Sequence, residues 1–176
     1  MNAAQMIGTV GGVGYLRPAP GTWGSLVALP MAWVLHTLGG FPLLAIATVA
    51  VFFGGLWATR VMTRGQEDHD PSEIVIDEVA GQFIALWAIS YPSWAHGIDI
   101  TALWPGWVAG FILFRLFDIT KPGPIGWADR RGDPMGVMLD DVIAGIFAAI
   151  GVMVLAGIAH GVLGLWTSQA CWTGPR

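Results

Sequence analysis

Charge is what this 176-residue chain has least of: 11% of its residues are charged against 55% hydrophobic. A soluble domain carries roughly 25% charged residues, and a chain this poor in charge cannot clothe a water-facing exterior. Cysteine is nearly absent as well. The single Cys171 excludes an intrachain disulfide, and it sits in a polar tail without the basic surround that activates a thiol. The net charge of −4 argues against a nucleic-acid partner. Several signatures are missing: the Cys-x₅-Arg phosphatase loop, the Asp-x-Asp-x-Thr/Val motif, a His-based lipid-phosphatase pattern, and the Gly-x-Ser-x-Gly elbow of acyl hydrolases. The start of the chain is Gly-rich, with Arg17 its first basic residue, and no signal-peptide pattern is expected there.

What the chain has is long apolar runs. A helix needs about 20 residues to cross a bilayer. Five segments reach or approach that length: 22–38, 41–62, 77–94, 103–120 and 141–166. The expected fold is an all-α, multi-pass membrane bundle forming one domain over 1–176, with its motif-bearing core at about 14–166. The third segment is the shortest of these readings, since it carries Gln82 and Pro92 is expected to break or bend its end. Gly39-Gly40 and Pro42 are expected to turn the chain between the first two segments.

Assigning alternate loops to opposite sides sorts the charges unevenly. Arg17, Arg60, Arg64, Arg115, Lys121, Arg130 and Arg131, seven of the eight basic residues, fall on one face or at its helix ends. An excess of Lys and Arg marks the cytoplasmic side. All the acids except Asp99 lie on that face too, and topology rules barely constrain acids.

Three places on that face concentrate the chemistry. Asp77 and Glu78 open the third segment directly after Ile74-Val-Ile. Arg115, Asp118 and Lys121 are spaced i, i+3 and i+6 at the end of the fourth, so neighbouring members share a helix face. Asp140 and Asp141 are expected to open the fifth helix, where the dipole favours one carboxylate but two repel unless a cation or proton compensates. Bundling the helices brings Asp77, Glu78, Asp118, Asp140 and Asp141 together beside two basic side chains. Oxygen ligands of this kind suit a hard cation such as Mg²⁺, and the basic groups suit a phosphate. Ahead of the first helix, Gly21, Thr22, Gly24 and Ser25 offer amide and hydroxyl donors at a helix N-terminus, a place that favours anions. His69, among Glu67, Asp68 and Asp70, reads as a solvated loop residue, and Asp129, Arg130, Arg131 and Asp133 read as a solvated turn in which Arg130 or Arg131 could touch an anionic headgroup. The competing class is an ion or small-solute transporter with a carboxylate-lined site, but transport sites lie near the bilayer midplane rather than at one rim.

Four ordered blocks resemble the bacterial phosphatidylglycerophosphatase A family: Pro20-Gly-Thr-Trp-Gly-Ser25, Ile74-Val-Ile-Asp-Glu-Val-Ala-Gly81, Phe114-Arg-Leu-Phe-Asp-Ile-Thr-Lys-Pro-Gly-Pro-Ile125 with Trp127 and Asp129-Arg130, and Gly136-Val-Met-Leu-Asp-Asp-Val-Ile-Ala-Gly145. The resemblance implies Mg²⁺-dependent hydrolysis of phosphatidylglycerophosphate to phosphatidylglycerol at the bacterial inner membrane, with the site facing the cytoplasm. On that reading Asp77, Glu78, Asp118, Asp140 and Asp141 hold the metal, and Asp118, Asp140 and Asp141 are catalytic. Arg115, Lys121 and Arg130 hold the phosphate, with Thr22 and Ser25 assisting. A carboxylate in such a site acts either as base for water or as a nucleophile forming an acyl-phosphate; the sequence does not choose.

Overall fold

The computed structural model describes residues 1–66 and 71–161. Among them it is all-helical, with six α-helices: α1 (Ala3–Gly8), α2 (Pro20–Met62), α3 (Ile76–His96), α4 (Trp104–Thr120), α5 (Pro124–Asp129) and α6 (Pro134–Gly161). His69 with its acidic neighbours, Cys171 and the end of the fifth expected segment at Trp166 lie outside the described residues.

Helix α2 spans 43 residues, which at 1.5 Å per residue would measure about 65 Å, roughly twice a bilayer's hydrocarbon core. It does not run straight. Gly39 and Gly40 leave helical geometry, and Gly40 takes φ 63°, a left-handed value that favours glycine. A side chain on Gly40 would strike the Trp94 ring, so the bend also packs tightly on α3. The two limbs run antiparallel. Gly24 in the first limb approaches Val75, and Gly55 in the second approaches Ile76, so both ends of the hairpin meet the start of α3. At the far end His36 hydrogen-bonds Ser90 and Ser93, and Phe41 packs edge-on against Trp87 and Tyr91.

Among the described residues, three stretches are long and apolar enough to cross a membrane: Pro20–Met62, Ile100–Thr120 and Pro134–Gly161. This is fewer than the five expected, for two physical reasons. The first two expected segments are the limbs of one bent helix. The third, α3, is the central element, and its first turns carry Asp77, Glu78 and Gln82. Its buried face includes Val79, Ala80, Phe83 and Leu86, packed against both limbs of α2 and against α6. Pro92 does not end α3, which continues to His96. The surrounding helices turn large apolar side chains outward, among them Leu38, Ile46, Phe53, Ile112 and Ile119. Water would penalise such a surface, whereas lipid is its natural solvent.

Helix α6 starts seven residues earlier than expected, which corrects the reading of Asp140 and Asp141 as its opening residues. Pro134 occupies the first turn, where a missing N–H costs nothing. Asp133 accepts a hydrogen bond from the Gly136 amide at 2.7 Å, so the capping carboxylate is Asp133, and Asp140 and Asp141 are free to serve another purpose deeper in the helix. Arg131 beside Asp133 holds that carboxyl below the usual range. Asp133→Ala is expected to remove the cap and lower stability by about 1 kcal/mol, read as a drop in thermal midpoint in detergent near neutral pH. With its pKa lowered on folding, the carboxylate contributes above its unfolded value and loses that contribution as pH falls through the folded one. The difference between wild type and variant should therefore shrink in acid.

Candidate functional site

Helices α3 and α6 cross in unusually close contact. A Cβ on Gly145 would overlap the Gly81 carbonyl. A Cβ on Gly81 would lie 2.5 Å from both the Asp141 carbonyl oxygen and the Phe114 ring. Gly81 is one helical turn after Asp77, and Gly145 one turn after Asp141, so the glycine crossing sets the separation of the carboxylates just above it. One oxygen each from Asp77, Glu78 and Asp141 lies within 4.8 Å of the others. Asp77 and Asp141 are 5% and 3% exposed.

The last turn of α4 completes the group. Asp118 sits beside Asp141 and is ion-paired with Arg115. Arg115 and Glu78 face the Pro20–Gly21 turn at the head of α2, where a side chain on Gly21 would meet both. The same groups, with Ser72 and Ile74, line a cavity of about 290 Å³. Pockets for drug-sized ligands start near 300 Å³, so the cavity suits a headgroup rather than a whole lipid.

Four carboxylates and one guanidinium in a largely buried site leave excess negative charge. Burying unpaired charge is costly, and the hydrogen bonding shows where compensation is lacking. Among the described residues, Glu78 Oε2 and Asp141 Oδ1 are buried with no partner, as is Arg115 Nε. The donor set fits a hard divalent cation. With ligand oxygens about 2.1 Å from the ion, opposite ligands stand about 4.2 Å apart. Of three ligand oxygens on one such ion at most one pair is opposite and the others stand about 3.0 Å apart, so these carboxylate oxygens, within 4.8 Å of one another, would draw closer to share it.

Asp140 and Lys121 form a neighbouring arrangement. Lys121 ends α4 in the left-handed region at φ 44°, a conformation that costs an ordinary L-residue roughly 1–2 kcal/mol. From there its ammonium reaches Asp140 at 2.8 Å and also pairs with Asp129 of α5. Burial works to lower the lysine pKa, but the hydrogen bonds to the two carboxylates hold it above the ordinary value. Asp140 also accepts from the Asp141 amide at 3.0 Å.

The sequence-derived residues thus divide. Asp77, Glu78, Asp118, Asp141 and Arg115 come together, and Lys121 and Asp140 stand beside them as a pair. Ser25 is fully buried and donates its hydroxyl to the Gly21 carbonyl at 2.9 Å, so that hydroxyl is engaged in the helix itself. Thr22 is half-buried in the first turn of α2, and Arg130 is exposed, its guanidinium against Gly126. Sequence reasoning read Asp129 as part of a solvated turn. Its partnership with Lys121 crosses eight residues and the whole of a short helix, a spacing with no periodic signal.

The family model of phosphatidylglycerophosphatase A matches residues 6–156. The chain is 37% identical to a phosphatidylglycerophosphatase A of Haemophilus influenzae, over 88% of the chain and 90% of that protein. It is 35% identical to one of Escherichia coli, over 88% of the chain and 83% of that protein. A Bacteroides thetaiotaomicron protein with the provisional name phosphatidylinositol-3-phosphatase is 34% identical over 90% of the chain and 94% of its own length. No solved structure matches the chain. The family match covers all the elements that carry the carboxylates, and the chain belongs to the phosphatidylglycerophosphatase A family.

Proposed function

We propose that this protein hydrolyses the terminal phosphomonoester of phosphatidylglycerophosphate, releasing phosphatidylglycerol and inorganic phosphate, in a Mg²⁺-dependent reaction at the cytoplasmic face of the bacterial inner membrane. One observation carries the reading beyond the family match: the convergence of Asp77, Glu78 and Asp141 beside Arg115 in a chain whose outer surface is built for lipid. The carboxylates lie in the first turn of α3, the last turn of α4 and the second turn of α6, all at one end of the bundle. A rim site suits a substrate whose acyl chains stay in the bilayer. It does not suit a transport path, which needs polar groups near the midplane. The proposed topology has five crossings, made by the two limbs of α2 and by α3, α4 and α6.

Asp77, Glu78 and Asp141 would hold the metal. When bound, Mg²⁺ supplies positive charge against the phosphoryl oxygens and lowers the pKa of its water. The remaining work falls to the chain. Arg115, fixed by Asp118, presents a planar donor set to the phosphate. Asp118, which touches both Arg115 and Asp141, is placed to take the proton of the attacking water. The water oxygen bonds to phosphorus as the bond to the glycerol oxygen breaks, and the proton taken up by Asp118 passes to that leaving oxygen. Lys121, held between Asp129 and Asp140, is the next cation available to the phosphate. The Pro20–Gly21 turn closes the cavity on the side facing α2.

The test is phosphate release by purified protein in detergent micelles, from phosphatidylglycerophosphate and in parallel from phosphatidylinositol 3-phosphate. Release from the first substrate that EDTA abolishes and Mg²⁺ restores is expected. Undiminished release in EDTA would overturn the metal requirement. Preference for the inositol lipid would overturn the substrate.

A further inference from the structure

Gln82 lies one helical turn beyond Glu78 on α3 and is fully buried. Among the described residues neither its Nε2 nor its Oε1 has a hydrogen-bond partner. A buried primary amide with nothing to bond is among the costlier things a fold can contain, and native proteins rarely tolerate one without a reason. Its position suggests the reason. Gln82 follows Glu78 by four residues on α3, so the two side chains rise from the same helix face, one turn apart. The Glu78 carboxylate is split between two environments. Oε1 points towards Gly21 at the cavity, while Oε2 is buried and unpartnered. An unsatisfied donor and an unsatisfied acceptor thus stand at i+4 and i on one face. The interval is one at which side-chain amides and carboxylates bond on helices.

We infer that Gln82 is a positioning residue for the carboxylate site: when the site takes up its metal, a change of rotamer lets the Gln82 Nε2–H donate to Glu78 Oε2 and so orient Glu78 towards Asp77 and Asp141. The inference rests on the proposed metal site. Gln82 touches neither the phosphate nor the reacting atoms. Its effect is to fix one oxygen of Glu78 so that the other stays available at the cavity. Residues that orient a metal-binding carboxylate typically change affinity or activity about 10–100-fold when replaced. Leucine at this position would keep the volume and remove both orphaned polar atoms. Stability and function should therefore move in opposite directions, which a residue that merely fills space would not produce.

The experiment uses the full-length protein in detergent, wild type and Gln82→Leu, with thermal unfolding followed in EDTA and across a Mn²⁺ titration. In EDTA the variant is expected to melt at or above the wild-type temperature. Its Mn²⁺-dependent rise in melting temperature should require about 10–100-fold more metal. Gln82→Met, which is also apolar but flexible, should behave in the same way and serves if the leucine variant fails to insert. A wild-type response to Mn²⁺ that both variants retain at the same concentrations would overturn the inference alone. Absence of any Mn²⁺ response in the wild type would overturn the metal reading and this inference with it. A clearly lower melting temperature for both variants in EDTA would show that the amide is already satisfied in the resting fold, and would also overturn the inference.

Discussion

Asp141→Asn is expected to cut phosphate release by at least about 10²–10³-fold, the usual consequence of removing one preorganised electrostatic group from an active site. The same variant should fold at least as well as the wild type in EDTA. Asp141 is 3% exposed and stands among Asp77, Glu78 and Asp118, and converting one of four crowded carboxylates to an amide relieves repulsion in the metal-free protein. The structure also predicts a contrast with its immediate neighbour. Asp140 is turned to Lys121, and it is not among the three residues whose oxygens cluster. Asp140→Asn should therefore lower turnover while leaving the Mn²⁺-dependent thermal shift in place, whereas Asp141→Asn should lose both. Phosphate release and melting curves on the two purified variants decide this. Equal loss of the metal response in both would show that the adjacent acids act as one ligand unit, and full activity in Asp141→Asn would remove that residue from the site.

That contrast marks the limit of what could be read from the chain alone. The carboxylates at Asp77, Glu78 and Asp118 were legible because each follows or interrupts an apolar run, where a charge has to have a purpose. The Asp140–Asp141 pair was legible for the same reason, but its division of labour was not. Adjacent residues on a helix point about 100° apart, and which of them meets α3 depends on where α6 begins and how it crosses. Reading Asp133 together with Asp129, Arg130 and Arg131 as a solvated turn places the helix start too late, because Asp followed by Pro is also a cap followed by a first-turn residue. Thr22 and Ser25 looked like anion donors because hydroxyls at a helix start often are. For Ser25 the bond to the Gly21 carbonyl, a purely local alternative, uses the hydroxyl instead. By length and composition α3 does not count among the candidate spans, because its acids, Gln82 and serines dilute its apolar character while its neighbours bury it. Composition measures what a helix would do alone in lipid, and α3 is not alone.

The glycine crossing of α3 and α6 carries the other large expected effect. Gly145→Ala adds one methyl group where the Gly81 backbone already stands, and backbone cannot rotate aside as a side chain would. The helices must separate, and separation near Gly81 and Gly145 moves Asp141 away from Asp77 and Glu78, one turn above. Overpacking of this kind typically costs about 1–3 kcal/mol, and a displacement of about 1 Å at a reacting centre can cost on the order of 100-fold in rate. Gly81→Ala should behave alike, since its methyl would press on the Asp141 carbonyl and on Phe114. The control lies on the same helix. Gly157 has open space around it among the described residues, so Gly157→Ala should be neutral or stabilising by about 0.5–1 kcal/mol through helix propensity. Melting temperature and phosphate release measured on the three variants separate the possibilities. If Gly145→Ala melts lower yet keeps full activity, the carboxylates do not take their spacing from this crossing. If it loses both stability and activity while Gly157→Ala loses neither, the crossing is what holds the site at working distance.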